Sequence, residues 1–245
     1  MNGIRLHNVT VAYDRRPALH HVSGTFAPGS MTAVVGPNGA GKTTLLKAVA
    51  GLSPVDQGSV DRGGLAQEKI ALLPQATALD RGFPISCLDV VMLGHCVRLG
   101  AFRAFGAAER DRALQALEAV GLAGFAGRRV GTLSAGQFQR VLFARLLVQD
   151  APLILLDEPF NAVDARTAAD LMAVLRRWHG EGRTIIAVLH DLDLVAREFP
   201  DCLMLAREQI AWCDTATALS AANRLRARMM AEAWAEDAET CARAA

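Results

Sequence analysis

The nine residues GPNGAGKTT, Gly36 to Thr44, constrain this chain more than any other stretch. Successive backbone N–H groups in a Gly-x-x-x-x-Gly-Lys-Thr pattern wrap a phosphate when the loop lies between a strand and a helix. Both flanks fit. MTAVVG, residues 31–36, is a short β-branched run, and TTLLKAVAGL places Leu45, Leu46 and Val49 at helical spacing. The glycines keep side chains out of the space the anion takes. The helix beginning near Lys42 adds its positive dipole end. Lys42 supplies a fixed charge to the β- and γ-phosphates of a nucleotide, and the Thr43 hydroxyl suits Mg²⁺. An ordinary Gly-rich turn would need neither these flanks nor the Lys-Thr pair.

The rest of the chain alternates short apolar runs with helical patterns, which is the α/β signature. KIALLPQ reads as a strand ending at Gln75. LILLD, 153–157, and TIIAVLHD, 184–191, are apolar in the way of parallel strands buried on both faces. Between them a helix is expected, with Asp164 as N-cap, Leu171, Met172, Leu175 and Trp178 on one face, and Gly180 and Gly182 after its end. From about residue 87 to about 150 the patterns are helical and no strand stands out. AAERDRALQALEAVGL there places Ala113, Leu114, Leu117 and Val120 on one side. This block reads as a helical insert in an α/β core. After about residue 215 the chain is Ala-rich and helix-prone, with its last residues expected to fray.

Composition narrows the function classes. The 245 residues fit one large α/β domain or a core with a modest subdomain. Lys plus Arg number 26 against 25 Asp plus Glu, a formal net charge of +1, which argues against nucleic acid as a partner. The start MNGIRLHNVTVAYD is not a basic run followed by an apolar block, and no apolar run approaches the roughly 18 residues of a spanning helix. The expectation is a soluble cytosolic chain. The five cysteines, Cys87, Cys96, Cys202, Cys213 and Cys241, are scattered without a C-x-x-C, as idle thiols in a reducing compartment would be. His20-His21 and His95-Cys96 with Cys87 match no zinc spacing, so no transported metal is expected to bind this chain.

Three further stretches carry chemistry. LILLDEP sets Asp157 and Glu158 at the end of a buried strand, where both carboxylates are expected at the sheet edge that carries the phosphate loop. Asp157 suits the Mg²⁺ shell, and Glu158 suits a general base for the attacking water. His190 ends TIIAVLH at the same expected edge, within reach of a γ-phosphate or the water. LSAGQ, Leu133 to Gln137, precedes a helical run with Phe138, Val141, Leu142 and Leu146 at helical spacing. It reads as a second anion site, a serine and a glycine at a helix N-terminus, placed on the helical insert away from the phosphate loop. That is puzzling for a monomer and natural for a head-to-tail dimer.

These motifs, in this order and over roughly residues 2–230, resemble an ABC-type ATPase, the nucleotide-binding subunit of an ABC transporter. GPNGAGKT resembles its Walker A loop, LSAGQ its signature, LILLDEP its Walker B, NAVD (Asn161 to Asp164) its D-loop, and His190 its switch histidine. Tyr13, the single tyrosine, resembles the aromatic that stacks on adenine, and Gln75 the glutamine that touches Mg²⁺ and senses the membrane partner. The resemblance implies an α/β fold: a P-loop, RecA-like ABC ATPase core with an antiparallel β edge and a helical subdomain. The core would be residues 1–86 and 151–215, the helical subdomain 87–150 and the tail 216–245, one ABC ATPase domain in all. It implies ATP contacts from Tyr13, from Gly36, Pro37, Asn38, Gly39, Ala40 and Gly41, from Lys42, Thr43 and Thr44, and from Ser134, Gly136 and Gln137. It implies Mg²⁺ ligation by Thr43, Gln75 and Asp157, with Glu158, His190 and Lys42 catalytic.

The implied partners are a second copy of the chain, an integral membrane permease and, through the permease, a separate substrate-binding protein, at the cytoplasmic face of the membrane and without nucleic acid. The departures are Ala135 where the signature usually has glycine, Asn161 where the D-loop usually begins with serine, and Cys213-Asp214 where a glycine commonly follows the late strand. None removes a catalytic group. FPISCLDVVMLGH, Phe83 to His95, is similar to subunits of zinc and manganese importers, as is LLDEPFNAVD. Importers of iron chelates or haem, and a stand-alone ATPase of iron–sulfur cluster assembly, are the alternatives.

Overall fold

The computed structural model describes residues 2–14, 16–75, 79–99 and 105–236. In chain order the elements are β1 Ile4–Tyr13, β2 Arg16–Phe26, β3 Met31–Val35, α1 Lys42–Ala50, β4 Gln57–Asp61, β5 Ile70–Leu73, α2 Cys87–Leu99, α3 Ala107–Ala119 and α4 Ala135–Gln149. They continue with β6 Leu153–Asp157, α5 Ala165–Gly180, β7 Thr184–Val188, α6 Leu192–Glu198, β8 Asp201–Ala206, β9 Glu208–Asp214, α7 Thr215–Ala218 and α8 Ala221–Glu236. The chain divides into two compact units, Met1–Gln67 with Thr184–Ala245, and Glu68–Arg183.

In the first unit β1 pairs antiparallel with β2 and with β4. β3 lies parallel to β7 on one side and to β8 on the other, and β9 returns antiparallel along β8. Every residue of β3 and β7 is buried, which is why these segments read as unbroken apolar runs. Leu45, Leu46 and Val49 bury one face of α1. The antiparallel edge is fixed by an aromatic contact. Phe26 and Trp212 lie 4.4 Å apart, and a Cβ on Gly24 would stand 2.4 Å from the Trp212 ring, so only glycine lets β2 pass under the indole.

In the second unit β5 and β6 run parallel. α4 is the hub, packed by α2, α3 and α5. Its Phe138, Val141, Leu142, Phe143 and Leu146 are all buried, each contributing about 1.5–3 kcal/mol as apolar surface withdrawn from water. The Phe143 ring stacks on Trp178 of α5 with an interplanar angle of 3°. Arg145 and Gln149 donate to the carbonyls of Leu72 (2.9 Å) and Ile70 (3.1 Å), satisfying backbone acceptors of β5 and fastening it to α4.

The expected strands and helices appear with shortened ends. β5 stops at Leu73 because Pro74 has no N–H for the ladder, leaving Gln75 two residues beyond it. β7 stops at Val188, so His190 lies past the strand rather than closing it. Leu114 is 38% exposed while Ala113, Leu117 and Val120 are buried, because it sits about 100° around the helix from Ala113. Among the described residues of 87–150 there is no strand, only a single bridge between Ser86 and Arg129 at its border. Residues 237–245, including Cys241, lie outside the described residues.

Candidate active site

In the first unit β3 delivers the chain into the loop Gly36 to Gly41. Gly36 has φ 149°, and a Cβ there would meet the Leu205 carbonyl at 2.0 Å. Gly41 has φ 87°, and its Cβ would meet the Ala18 carbonyl at 2.1 Å. Both positions therefore exclude any side chain. The Ala40 amide closes the turn onto the Pro37 carbonyl at 3.2 Å, leaving Asn38 and Gly39 exposed at the tip. α1 starts at Lys42 with no side chain capping it. The Lys42 ammonium folds back over the loop, donating to the carbonyls of Gly36 (2.8 Å) and Pro37 (2.9 Å). Lys42 is only 7% exposed, Thr44 is buried and Thr43 is exposed. A glycine-shaped loop running into an uncapped helix start, with a lysine folded over it, is chemically suited to a polyphosphate.

Tyr13, at the end of β1, is half exposed, its hydroxyl 3.4 Å from Ser53 Oγ. The Ser53 hydroxyl holds the phenol below its ordinary pKa against an opposing push from burial. The ring is thus held at its hydroxyl end, with about half of its surface exposed. Gly36, Pro37 and His190 line one cavity of about 430 Å³ together with Val35, Leu189 and Met204. His190 is exposed there and followed by α6, whose N-cap Asp191 accepts from the amides of Asp193 and Leu194.

In the second unit Asp157 ends β6 and is 4% exposed. Glu158 follows with φ 51°, a left-handed conformation costly for a non-glycine residue and frequent at functional sites. Two amides converge on its carboxylate: Gln75 Nε2 donates to Oε2 at 2.5 Å, and Asn161 Nδ2 to the same oxygen at 3.0 Å. Thus Gln75 and Glu158, 83 residues apart in sequence, are brought together. Asp164 is the N-cap of α5, accepting from the Thr167 amide at 2.8 Å and hydroxyl at 2.9 Å.

The LSAGQ stretch forms the start of α4. The Ser134 hydroxyl accepts from the Gln137 amide at 3.2 Å, and the Gln137 side chain accepts from the Ser134 amide at 3.1 Å, a reciprocal capping box. A Cβ on Gly136 would make only ordinary contacts, the nearest Thr167 Oγ1 at 3.5 Å, so nothing inside the chain requires glycine there. Two residues that the sequence reading passed over shape this end. Arg81 donates to the Leu133 carbonyl and stacks on the Phe138 ring at 5.1 Å. Arg140 donates to the Val120 carbonyl (3.1 Å), Thr167 Oγ1 (3.2 Å) and Asp170 (2.8 Å), tying α4 to α5 and to the end of α3. No pattern announces either one.

Phe83 and Leu93 are 63% and 47% exposed, Ile85 and Met92 half-buried, and Leu88, Val90 and Val91 buried. Ile85, Leu88, Met92, Leu93, Phe105 and Arg110 line a groove of about 430 Å³. The histidines have structural partners: His20 pairs with Glu208 at 3.0 Å, and buried His95 bonds the Glu109 carbonyl at 3.0 Å. Cys87, Cys96, Cys202 and Cys213 are free thiols, and burial pushes Cys202 up to about 12. No described helix is long and apolar enough to cross a membrane.

The sequence profile of the ABC transporter family matches residues 19–161. The chain is 41% identical over 212 residues to the manganese transport system ATP-binding protein MntB of Listeria monocytogenes, covering 85% of this chain and 88% of that one. It is equally 41% identical over 212 residues to the zinc transport system ATP-binding protein TroB of Treponema pallidum, covering 85% and 80%. Its fold superposes on the dimeric structure of MJ0796, a bacterial ABC transporter cassette, with a TM-score of 0.76 at 29% identity over 86% of this chain and 98% of that one. The chain belongs to the ABC transporter family, as an ATP-hydrolysing subunit.

Proposed function

We propose that this subunit powers an importer of zinc or manganese, with two ATP molecules held between two copies of the chain. The observation that carries the metal reading is the 41% identity, over most of both chains, to relatives named for manganese and zinc transport. Tyr13 stacks on the adenine. The amides from Gly36 to Gly41, with Lys42, Thr43 and Thr44, hold the phosphates. Ser134, Gly136 and Gln137 meet the nucleotide of the second copy, which supports a reason for glycine at 136 that the isolated chain does not need. Glu158 takes the proton of the attacking water, and His190 contacts the γ-phosphate.

Thr43, Gln75 and Asp157 offer hydroxyl, carboxamide and carboxylate oxygens, a hard donor set that fits Mg²⁺ better than a soft metal. When bound, Mg²⁺ neutralises phosphate charge.

The groove beside Phe83 and Leu93 is the docking surface for the permease, at the cytoplasmic face of the membrane. An exposed apolar rim of this kind marks a partner site. Residues 76–78 of the wider 76–99 segment lie outside the described residues. Substrate recognition belongs to the permease and a separate binding protein. Phe83→Asp should spare ATP hydrolysis by the purified chain while abolishing zinc- or manganese-dependent growth and permease co-purification. Metal uptake that survives the substitution would move the docking site elsewhere. Loss of iron-chelate uptake instead would overturn the metal assignment.

A further inference from the structure

We propose that Asn161 is a positioning residue for the Glu158 carboxylate, holding it in the orientation needed to take a proton from water. The proposal rests on the reading of Glu158 as the general base. It begins with the turn after β6. Glu158 enters that turn at φ 51°, and the Asn161 amide closes it by donating to the Glu158 carbonyl at 3.2 Å. The same residue then uses its side chain: Asn161 Nδ2 reaches Glu158 Oε2 at 3.0 Å. Backbone and side chain of one residue thus fix backbone and side chain of the other. A glutamate has three side-chain torsions to lose on being held, and a carboxylate can only accept, so an amide N–H is the group that can hold it without competing for its proton.

Gln75 donates to the same oxygen, but it follows β5 on a distant stretch of sequence, and its carboxamide has a second proposed task toward Mg²⁺. The Asn161 tether is local to the turn. It does not depend on the placement of Gln75. Asn161 is itself exposed, so its side chain fills no core space that would explain the residue by packing.

Asn161→Ala and Asn161→Asp separate positioning from stability. The alanine variant loses a hydrogen bond to a charged group and should lower kcat about tenfold, with KM for ATP and the melting temperature unchanged. The aspartate variant is nearly isosteric but sets a carboxylate against Glu158, so its kcat should fall further than that of the alanine variant. In a Glu158→Gln background, Asn161→Ala should cost nothing more and should leave ATP-driven dimer formation intact. Wild-type kcat in Asn161→Ala or in Asn161→Asp overturns the proposal, as does an equal loss in ATP affinity or thermal stability. Near-normal turnover in Glu158→Gln alone removes the base reading, and the proposal falls with it.

Discussion

α1 begins after Gly41 with no side-chain capping bond, whereas α4 begins at Ser134, whose hydroxyl already accepts from the Gln137 amide. Both helix starts present amides and a positive dipole end, yet one is left uncapped and the other is satisfied by its own sequence. Around α1 the backbone is forced: Gly36 and Gly41 are packed against carbonyls that tolerate no Cβ, and Lys42 crosses the loop. Around α4 the fold makes no such demand, and Gly136 has room for a methyl group. On the proposed reading the first start binds a nucleotide by itself. On the same reading the second completes a site belonging to another copy, so its sequence answers to a surface absent from the chain.

Substitution of the matched glycines breaks or upholds this contrast most strongly. Gly41→Ala meets the Ala18 carbonyl at 2.1 Å and needs a left-handed alanine, so ATP affinity should fall at least ~10²-fold, the equivalent of about 3 kcal/mol. Gly136→Ala should leave the fold and monomer ATP affinity unchanged and weaken only the ATP-driven dimer. Isothermal titration with the monomer, beside size exclusion with trapped ATP, reads both. Equal losses of monomer affinity would erase the distinction. A bulky charge sharpens the same point: Ser134→Arg should retain ATP on the monomer and show neither dimer nor hydrolysis. A normal dimer in that variant would mean that α4 does not face nucleotide across the interface.

The base-binding end of the site calls for a smaller effect. Tyr13→Ala should weaken nucleotide binding by about 1–3 kcal/mol, the range of base–aromatic stacking, while Tyr13→Phe stays mild because Ser53 supplies only the anchor. Unchanged affinity in the alanine variant would make the ring simple packing for Ser53.

The contrast also explains what the sequence discloses. The loop between β3 and α1, the buried strand β6 and the caps of α4 and α5 are encoded by neighbours in the chain, so spacing reveals them. β1 is harder, because its pairing with β2 shifts register between Leu6 and Val9, Val9 and Val11, and Val11 and Ala12. Those irregularities break the period-two alternation that would mark a strand. Pro74 truncates β5 in a way that apolar character alone does not signal. Arg81 and Arg140 shape the signature end through carbonyls and side chains far off in sequence, which no local pattern predicts. Asn161 was visible only as a departure, and its contact with Glu158 emerges from the left-handed turn that precedes it.

A third helix start gives the smallest effect and tests whether a motif residue is also a structural one. Asp164 caps α5 through the Thr167 amide and hydroxyl, and those two hydrogen bonds hold its carboxyl below the ordinary aspartate range. A group whose pKa is depressed by folding stabilises the native state above its unfolded pKa, roughly 4, and that contribution is lost as pH falls through the lower folded value. Asp164→Asn keeps an acceptor for the amide but removes the charge. Its stability at neutral pH should drop slightly, and its loss of stability on acidification should be shallower than that of the unsubstituted chain. Urea titrations from pH 7 downward measure both. An identical acid slope would show that the Asp164 charge contributes nothing to folding.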